Sequence, residues 1–201
     1  MGILKKLFGS KKIDPAREFP RQQGKYMPDI KIPADEKFTI NFRKNGGKFL
    51  YCDTQEEVAQ AFQSIIQENE WFGKQVLCLD GDLNNKFKSF GLRFTKQNKQ
   101  SSFFFSRCEY LIADDGGILL CSKQIKENRL QNLPTNFVIY ATTSQLVESI
   151  SEGLRLIKSE NRQSLPSNIT TIKHFETQKE KDFLSYGSSS KNLYLLLFED
   201  L

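Results

Sequence analysis

The 201-residue sequence contains a single histidine, His174, and none of its four cysteines forms a C-x-x-C pair. Zinc sites and iron–sulfur clusters use closely spaced Cys and His ligands, so neither is predicted within this chain. The phosphate-binding motifs G-x-x-x-x-G-K-[ST] and G-x-G-x-x-G are missing, and so is the G-x-S-x-G nucleophile motif. We therefore expect no metal site, and no motif assigns a cofactor.

Long apolar runs are missing as well. No stretch of about 18 apolar residues occurs, so no transmembrane segment is predicted. The first residues do not form a cleavable secretory signal pattern. Three of the four cysteines lie inside apolar segments, which is typical of buried free thiols in a reducing compartment. A cytoplasmic location is expected.

The net charge of +5 is confined to the N-terminal part of the chain. Residues 1–31 carry eight Lys or Arg against three Asp or Glu, whereas residues 32–201 carry 21 of each sign. Four of the six prolines lie between residues 13 and 36, which predicts an extended arm. We divide the chain into a basic arm at 1–37 and one α/β domain at 38–201. Because the domain is neutral, nucleic-acid binding is not expected.

Apolar strand-like and helix-like patterns alternate along the domain. Residues 136–141 and 193–198 are apolar throughout and are predicted as strands buried on both faces. Further strands are predicted at 48–52, 75–79 and 169–175, while 103–105 fits either a strand or a helix. Residues 114–117, Asp-Asp-Gly-Gly, lie between two apolar runs and predict the turn of a β-hairpin.

Three helices are indicated between these strands. Thr54 and Glu57 match a capping box ahead of a helix at 54–70, and Asp82 would cap a short helix that ends near Phe90. Residues 142–144 would cap a third helix with its apolar face at 146–157. This order predicts an open, mostly parallel sheet with helices on both faces and a β-hairpin insertion.

Polar clusters that interrupt the apolar segments supply the candidate ligand-binding residues. Ligands of open α/β sheets bind outside the carboxyl ends of strands, and helix N-termini attract anions. The candidates are Asp114, Asp115, Gly116, Thr142, Thr143, Ser144, His174, Ser189, Ser190 and Lys191. Each cluster also has a structural interpretation, as hairpin chemistry, an N-cap or a mobile loop, and a non-catalytic histidine is common.

The functional hypothesis requires these clusters to converge on one concave pocket. Asp114 and Asp115 would accept hydrogen bonds from ligand hydroxyls, and the turn at 142–144 would bind a carboxylate or phosphate. Lys191 would add a mobile positive charge, and His174 would transfer a proton if the site is catalytic. A ligand with hydroxyls and one anionic group fits this set best.

Three segments resemble the LUD domain, the family of lactate utilisation protein C. Residues 108–122, CEYLIADDGGILLCS, are similar to its hairpin, residues 133–157 to its next strand and helix, and residues 191–201 to its terminal strand. The similarity covers residues 40–201 and is greatest over 108–157. It departs at 115–118, which read DGGI where the family usually has Glu-Thr-Gly-Thr, and at 169–182, where a further family segment is not evident.

This resemblance implies a fold like that of the CoA-transferase, ribose-5-phosphate isomerase and formyltetrahydrofolate cyclo-ligase group. It also implies a role near the oxidation of L-lactate to pyruvate, alongside iron–sulfur partner subunits. We therefore expect a non-redox component of lactate or organic-acid metabolism that binds a small anionic metabolite or cofactor at strand ends.

Two other interpretations stay open. One is a non-enzymatic interaction protein with a decayed pocket, which docks on a partner or an acidic surface through its basic arm. The other is a hydrolase or transferase on the same fold, which is weaker because no nucleophile–base pair is apparent. The sequence does not decide whether the chain is an enzyme.

Overall fold

The computed structural model describes residues 32–98, 100–175 and 191–201. Five α-helices occur in these residues: α1 (Ala34–Lys44), α2 (Gln55–Glu68), α3 (Gly81–Phe87), α4 (Ser122–Ile125) and α5 (Ile150–Glu160). The strands are β1 (Lys48–Cys52), β2 (Gln75–Leu77), β3 (Arg93–Thr95), β4 (Phe103–Arg107), β5 (Tyr110–Ile112), β6 (Gly117–Leu120), β7 (Asn136–Thr142), β8 (Leu146–Val147), β9 (Thr170–Ile172) and β10 (Asn192–Phe198). Short 3₁₀ turns cover Lys88–Phe90, Leu130–Asn132 and Thr143–Gln145.

Six strands form one fully parallel sheet in the order β1-β10-β7-β4-β2-β3. The predicted strands β7 and β10 lie side by side near its centre, and the five middle residues of each are buried. Parallel strands covered on both faces have no side for polar residues, which explains why these two segments are apolar throughout. The predicted α/β fold with a mostly parallel sheet is confirmed.

A second sheet contains the predicted hairpin. Its order is β8-β5-β6-β9, with β5 and β6 antiparallel and β8 parallel to β5. Gly116 in the hairpin turn has a φ of +66°, and a Cβ at this position would collide with the backbone of Phe42 in α1. The turn therefore requires glycine both for its conformation and for its contact with the helix.

The layers follow from which side chains share a core. Helices α2 and α3 cover one face of the parallel sheet, where Phe62 and Phe87 pack on Phe105. The other face is covered by α1 and the second sheet, with Phe42 and Ile118 in the same core as Phe137. Helix α5 packs on the outer side of the second sheet through Ile157. The second face of the parallel sheet is thus covered mainly by another sheet.

Two predicted helix starts differ in the structure, and one helix was not predicted. The segment at 142–144 does not cap the third predicted helix, because the chain first forms β8, which pairs with β5. Helix α5 starts only after Ser149, whose Oγ accepts a hydrogen bond from the backbone N of Glu152 at 3.3 Å. The short helix is capped by Asp80 rather than Asp82, and helix α1 was not predicted.

The predicted basic arm lies largely outside the described residues, because the structure describes nothing before residue 32. The division at residues 37 and 38 stays a prediction, as does docking through the arm. In the described part of the chain, no helix combines the length and the apolar character that a membrane crossing requires.

Candidate functional site

A crevice opens at the carboxyl ends of β2 and β4, which are neighbours in the parallel sheet. After β2 the chain continues into α3 on one face of the sheet, and after β4 it enters the second sheet on the opposite face. Connections that leave neighbouring strands toward opposite faces create the crevice in which open α/β folds bind their ligands. The position alone makes it the candidate site.

The crevice has a volume of about 440 Å³ and a mainly polar lining. Three cationic side chains line it, Arg107, Lys123 and Lys126, against one carboxylate, Asp80. The other lining residues are Leu79, Ser106, Cys108, Gln124 and Gln145. The excess of positive charge favours an anionic ligand.

Arg107 is held at the crevice by Asp80. The Arg107 Nε lies 3.2 Å from Asp80 Oδ2, but it is buried and makes no aligned hydrogen bond within the described part of the chain. The other oxygen, Asp80 Oδ1, accepts hydrogen bonds from the backbone N of Asp82 and Leu83 at 3.0 Å and caps α3. Asp80 thus orients the guanidinium, which keeps hydrogen-bonding capacity for a ligand.

The wall formed by α4 is held in place by amide and carboxylate side chains. Gln124 Nε2 donates to Glu109 Oε1 at 2.7 Å, and Gln145 Nε2 donates to the Cys108 carbonyl at 2.7 Å. Lys123 Nζ lies 3.5 Å from the buried carboxylate of Glu109. Lys126 ends this wall with a φ of +52°, a conformation that is uncommon for residues other than glycine and is found often at functional sites.

The thiols near the crevice are not activated nucleophiles. All four cysteines are free and buried, as predicted. Burial raises the pKa of Cys52, Cys78 and Cys121 to about 11, and it raises the pKa of Cys108 further. A thiol with a raised pKa holds little thiolate at neutral pH, so the arrangement supports binding rather than covalent chemistry by cysteine. Among the described residues, no group of three or more Cys, His, Asp or Glu is placed to hold a metal ion.

Asp114 and Asp115 lie away from the crevice, between the hairpin turn and α1. Asp114 Oδ1 is 2.5 Å from Lys37 Nζ, and Asp115 Oδ2 is 2.5 Å from Lys173 Nζ. Asp115 Oδ1 also accepts from the backbone N of Gly117 at 2.9 Å. These carboxylates form ion pairs and a turn contact, in line with the structural interpretation of the hairpin.

The turn at 142–144 is occupied by the last residues of the chain. Ser144 donates to Asp200 from its backbone N at 2.9 Å and from its Oγ at 2.7 Å. Thr143 Oγ1 lies 3.0 Å from both Glu199 Oε1 and Asp200 Oδ1, and Glu199 also binds the hydroxyl of Tyr51. We call Tyr51, Thr143, Ser144, Glu199 and Asp200 the carboxylate cluster. Its two acids take the hydrogen bonds that had been predicted to bind a ligand anion.

Lys191 does not supply a mobile charge. It is 4% exposed, and its Nζ donates to the carbonyls of Leu133 at 3.0 Å and Pro134 at 3.1 Å. The prediction of mobility is wrong because this lysine lies under the amino end of the parallel sheet. His174 is exposed after β9, and Ser189 and Ser190 lie outside the described residues.

The predicted convergence of these clusters is also wrong. Asn136 pairs with Asn192 and Thr142 with Phe198, so Lys191 and Thr143 lie at opposite ends of the sheet, roughly 20 Å apart at about 3.3 Å per residue. Gln145 contacts Cys108 ahead of β5, whereas Asp114 follows the end of β5. The described members of the three clusters, Asp114, Thr143 and Lys191, therefore occupy three separate places.

The residues that do line the crevice were missed by the sequence analysis. Asp80 follows the predicted strand at 75–79, and Arg107 ends the run FFFSR. Both are polar residues at the end of a buried strand, which is the signal that was applied to residues 142–144. The pairing of β2 with β4 that brings them together is a tertiary contact.

Comparisons with known proteins address the fold and the family. The model of the LUD domain family matches residues 36–197. A crystal structure of a DUF162 family protein from Deinococcus radiodurans superimposes with a TM-score of 0.58 at 10% sequence identity, covering 83% of this chain and 96% of that chain. At this identity the likeness concerns the fold alone. No curated protein sequence matches the chain significantly.

Proposed function

We propose, from the premise that this chain belongs to the LUD domain family, that it binds a small anionic metabolite in the crevice between β2 and β4. At the level of the family it is a lactate-utilisation-like protein. The observation that carries the proposal is the cationic lining of the crevice, with Arg107, Lys123 and Lys126 facing one carboxylate.

Arg107 is the residue expected to contact the anion most directly. A guanidinium presents several N–H groups in a planar fork that matches a carboxylate or phosphate. Asp80 lies beside this side chain at Nε, so the terminal N–H groups are the ones that would face the anion. Lys126 would add a point charge from the opposite wall, and Lys123 would add a second one next to its ion pair with Glu109.

In the cell, the chain would act as a non-redox component of lactate or organic-acid metabolism. Electron transfer would belong to the iron–sulfur partner subunits that the resemblance implies. The four free cysteines favour a reducing compartment, and we place the protein in the cytoplasm on that basis.

The experiment is a thermal-shift screen of the full chain with lactate, pyruvate, CoA esters, folates and nucleotides. A ligand that binds only the folded state should add about 2.7 kcal/mol of stability at 100 times its Kd. Arg107→Ala should abolish the shift, because the ligand would lose its charged hydrogen-bond donor. The same variant should change the stability of the free protein little, since partly exposed ion pairs contribute about 1 kcal/mol or less.

Arg155→Ala is the matched control. Arg155 lies on α5 with 73% of its side chain exposed and forms only an i,i+3 ion pair with Glu152 within the described part of the chain. This variant should bind as the unmodified protein does. If no ligand of the screen shifts the melting temperature, or if Arg107→Ala and Arg155→Ala behave alike, the crevice is not the binding site. Docking through the basic arm would then be the better hypothesis.

A further inference from the structure

Lys126 adopts a backbone conformation that favours glycine. The backbone N of Asn128 donates to the Ile125 carbonyl at 3.0 Å, which closes a four-residue turn over 125–128. Lys126 occupies the first central position of this turn, with a φ of 52° and a ψ of −133°. These are the angles of a type II′ turn, where glycine is the usual residue. A residue with a Cβ is strained here, so the presence of a lysine requires an explanation from its side chain.

The segment that precedes β9 holds the strained turn in place. Asn168 Nδ2 donates to the carbonyls of Lys126 and Asn128, in both cases at 2.9 Å. The backbone N of Ser167 donates to Ser122 Oγ at 3.0 Å, and the backbone N of Ser122 donates to the Ser167 carbonyl at 2.8 Å. Strained residues persist where several contacts fix them, and they cluster at ligand sites. These contacts fix Lys126 at the wall of the crevice, which it lines.

The charge of Lys126 has no counterion in contact with it. Two of the three cations that line the crevice lie beside a carboxylate, Arg107 Nε at 3.2 Å from Asp80 and Lys123 Nζ at 3.5 Å from Glu109. In the part of the chain that the structure describes, the ammonium of Lys126 forms no ion pair and no hydrogen bond. The uncompensated positive charge of the crevice therefore lies at the strained turn.

We propose that Lys126 is the residue that makes the crevice select an anion over a neutral ligand, because its ammonium supplies the uncompensated charge. Arg107 orients the anionic group through directed hydrogen bonds, and its own charge is offset by Asp80. The inference rests on the proposed function, since it assigns roles to cations of the same crevice. It also explains the strain: glycine would relax the turn, but it would remove the charge that attracts the ligand.

The experiment titrates the full chain with inorganic phosphate at neutral pH and follows NMR chemical shifts at low and at high salt. Lys126→Gly should bind phosphate roughly tenfold more weakly at low salt, the loss expected for one charged contact. Its affinity should also depend less on salt. Its melting temperature should nevertheless rise by about 2 °C or more, because glycine relieves the strain. Lys126→Arg keeps the charge and should bind phosphate as the unmodified protein does.

Glu70→Gly is the matched control. Glu70 also has a positive φ, of 56°, but it lies between α2 and β2, toward the amino end of the parallel sheet and away from the crevice. This variant should gain stability as Lys126→Gly does and should bind phosphate normally.

Three results would overturn the role of Lys126. They are normal phosphate binding by Lys126→Gly, binding by Lys126→Arg as weak as that of Lys126→Gly, and a melting temperature of Lys126→Gly that falls together with its affinity. In each case, a loss of phosphate binding in Arg107→Ala would still support the proposed function. If the unmodified protein does not bind phosphate, the inference about Lys126 fails, and the thermal-shift screen decides the proposed function separately.

Discussion

Two polar groups of residues lie at the same carboxyl edge of the parallel sheet and differ in how far their hydrogen bonds are satisfied. In the carboxylate cluster beyond β7 and β10, the hydroxyls of Thr143 and Ser144 are bonded to Glu199 and Asp200. In the crevice beyond β2 and β4, the buried Nε of Arg107 makes no aligned hydrogen bond in the described part of the chain. The hydroxyls of the carboxylate cluster are thus already paired within the fold, whereas the crevice keeps a donor that the fold does not pair.

The difference has a physical cause. A cluster whose donors and acceptors are already paired gains little from a ligand, because each new contact replaces an existing one. A donor in a crevice that has no partner within the fold can bond a ligand in exchange for water, without breaking a contact of the fold. The carboxylate cluster is therefore expected to stabilise the fold, and the crevice to bind.

The largest effect is expected from a substitution in the core of the parallel sheet that carries both groups at its carboxyl edge. Leu196 lies in the middle of β10 and is fully buried. Leu196→Asp would place an unpaired carboxylate in the core, at an expected cost of at least about 4 kcal/mol against a typical domain stability of about 5–15 kcal/mol. Urea unfolding followed by circular dichroism should show a protein that is largely unfolded.

Leu154→Asp provides the control for that substitution. Leu154 lies on α5 and is 40% exposed, so the same change should cost about 1 kcal/mol or less. If both variants lost similar stability, the description of β10 as a strand buried on both faces would be wrong.

A smaller loss of stability is expected from a substitution that affects the carboxylate cluster and leaves the crevice intact. Thr143→Val removes the hydroxyl that links the turn at 142–144 to Glu199 and Asp200 and keeps the shape of the side chain. We expect a loss of about 1–2 kcal/mol in the free energy of unfolding, since a buried hydrogen bond is lost and its partners keep their charge. Binding of the ligand found in the thermal-shift screen should be unchanged, the reverse of the pattern expected for Arg107→Ala. A loss of that binding in Thr143→Val would return this turn to the ligand site.

The comparison also shows what could be predicted from the sequence. Strands β7 and β10 were predicted because every residue at their centres is apolar, and the hairpin because Gly116 follows two aspartates. These are local signals. The partners of Thr143 and Ser144 lie 56 residues or more along the chain, so the sequence showed hydroxyls at a strand end but not the acids that occupy them.

The start of helix α5 was misplaced, and the crevice was missed, for a related reason. The predicted helix face at 146–157 includes Leu146 and Val147, which instead pair with Leu111 and Ile112 as β8. A segment of two residues is too short to show a periodic pattern, so the sequence does not distinguish a strand here from the first turn of a helix. Likewise, Asp80 and Arg107 become neighbours only through the pairing of β2 with β4.

The smallest expected effect concerns pH and the charge of the carboxylate cluster. Burial raises the pKa of Asp200, but hydrogen bonds from Ser144, Thr142 and Thr143 outweigh it, and the pKa lies below its ordinary value of 3.8. A carboxyl whose pKa is lower in the folded than in the unfolded state stabilises the fold above the unfolded-state pKa. It loses that contribution as the pH falls through the folded-state pKa. Because Asp200 is exposed, the effect should be modest.

Asp200→Asn should therefore melt below the unmodified protein at neutral pH, and the difference should shrink as the pH falls below about 4. Thermal unfolding followed by circular dichroism between neutral and acidic pH measures this. Introducing Ser144→Ala into both proteins removes the donor that contributes most to lowering this pKa, so the pH-dependent part of the difference should become smaller. A difference that is constant with pH, or that grows toward acid, would mean that the ionised Asp200 does not stabilise the cluster. The contrast with the crevice would then rest on the hydroxyl of Thr143 alone.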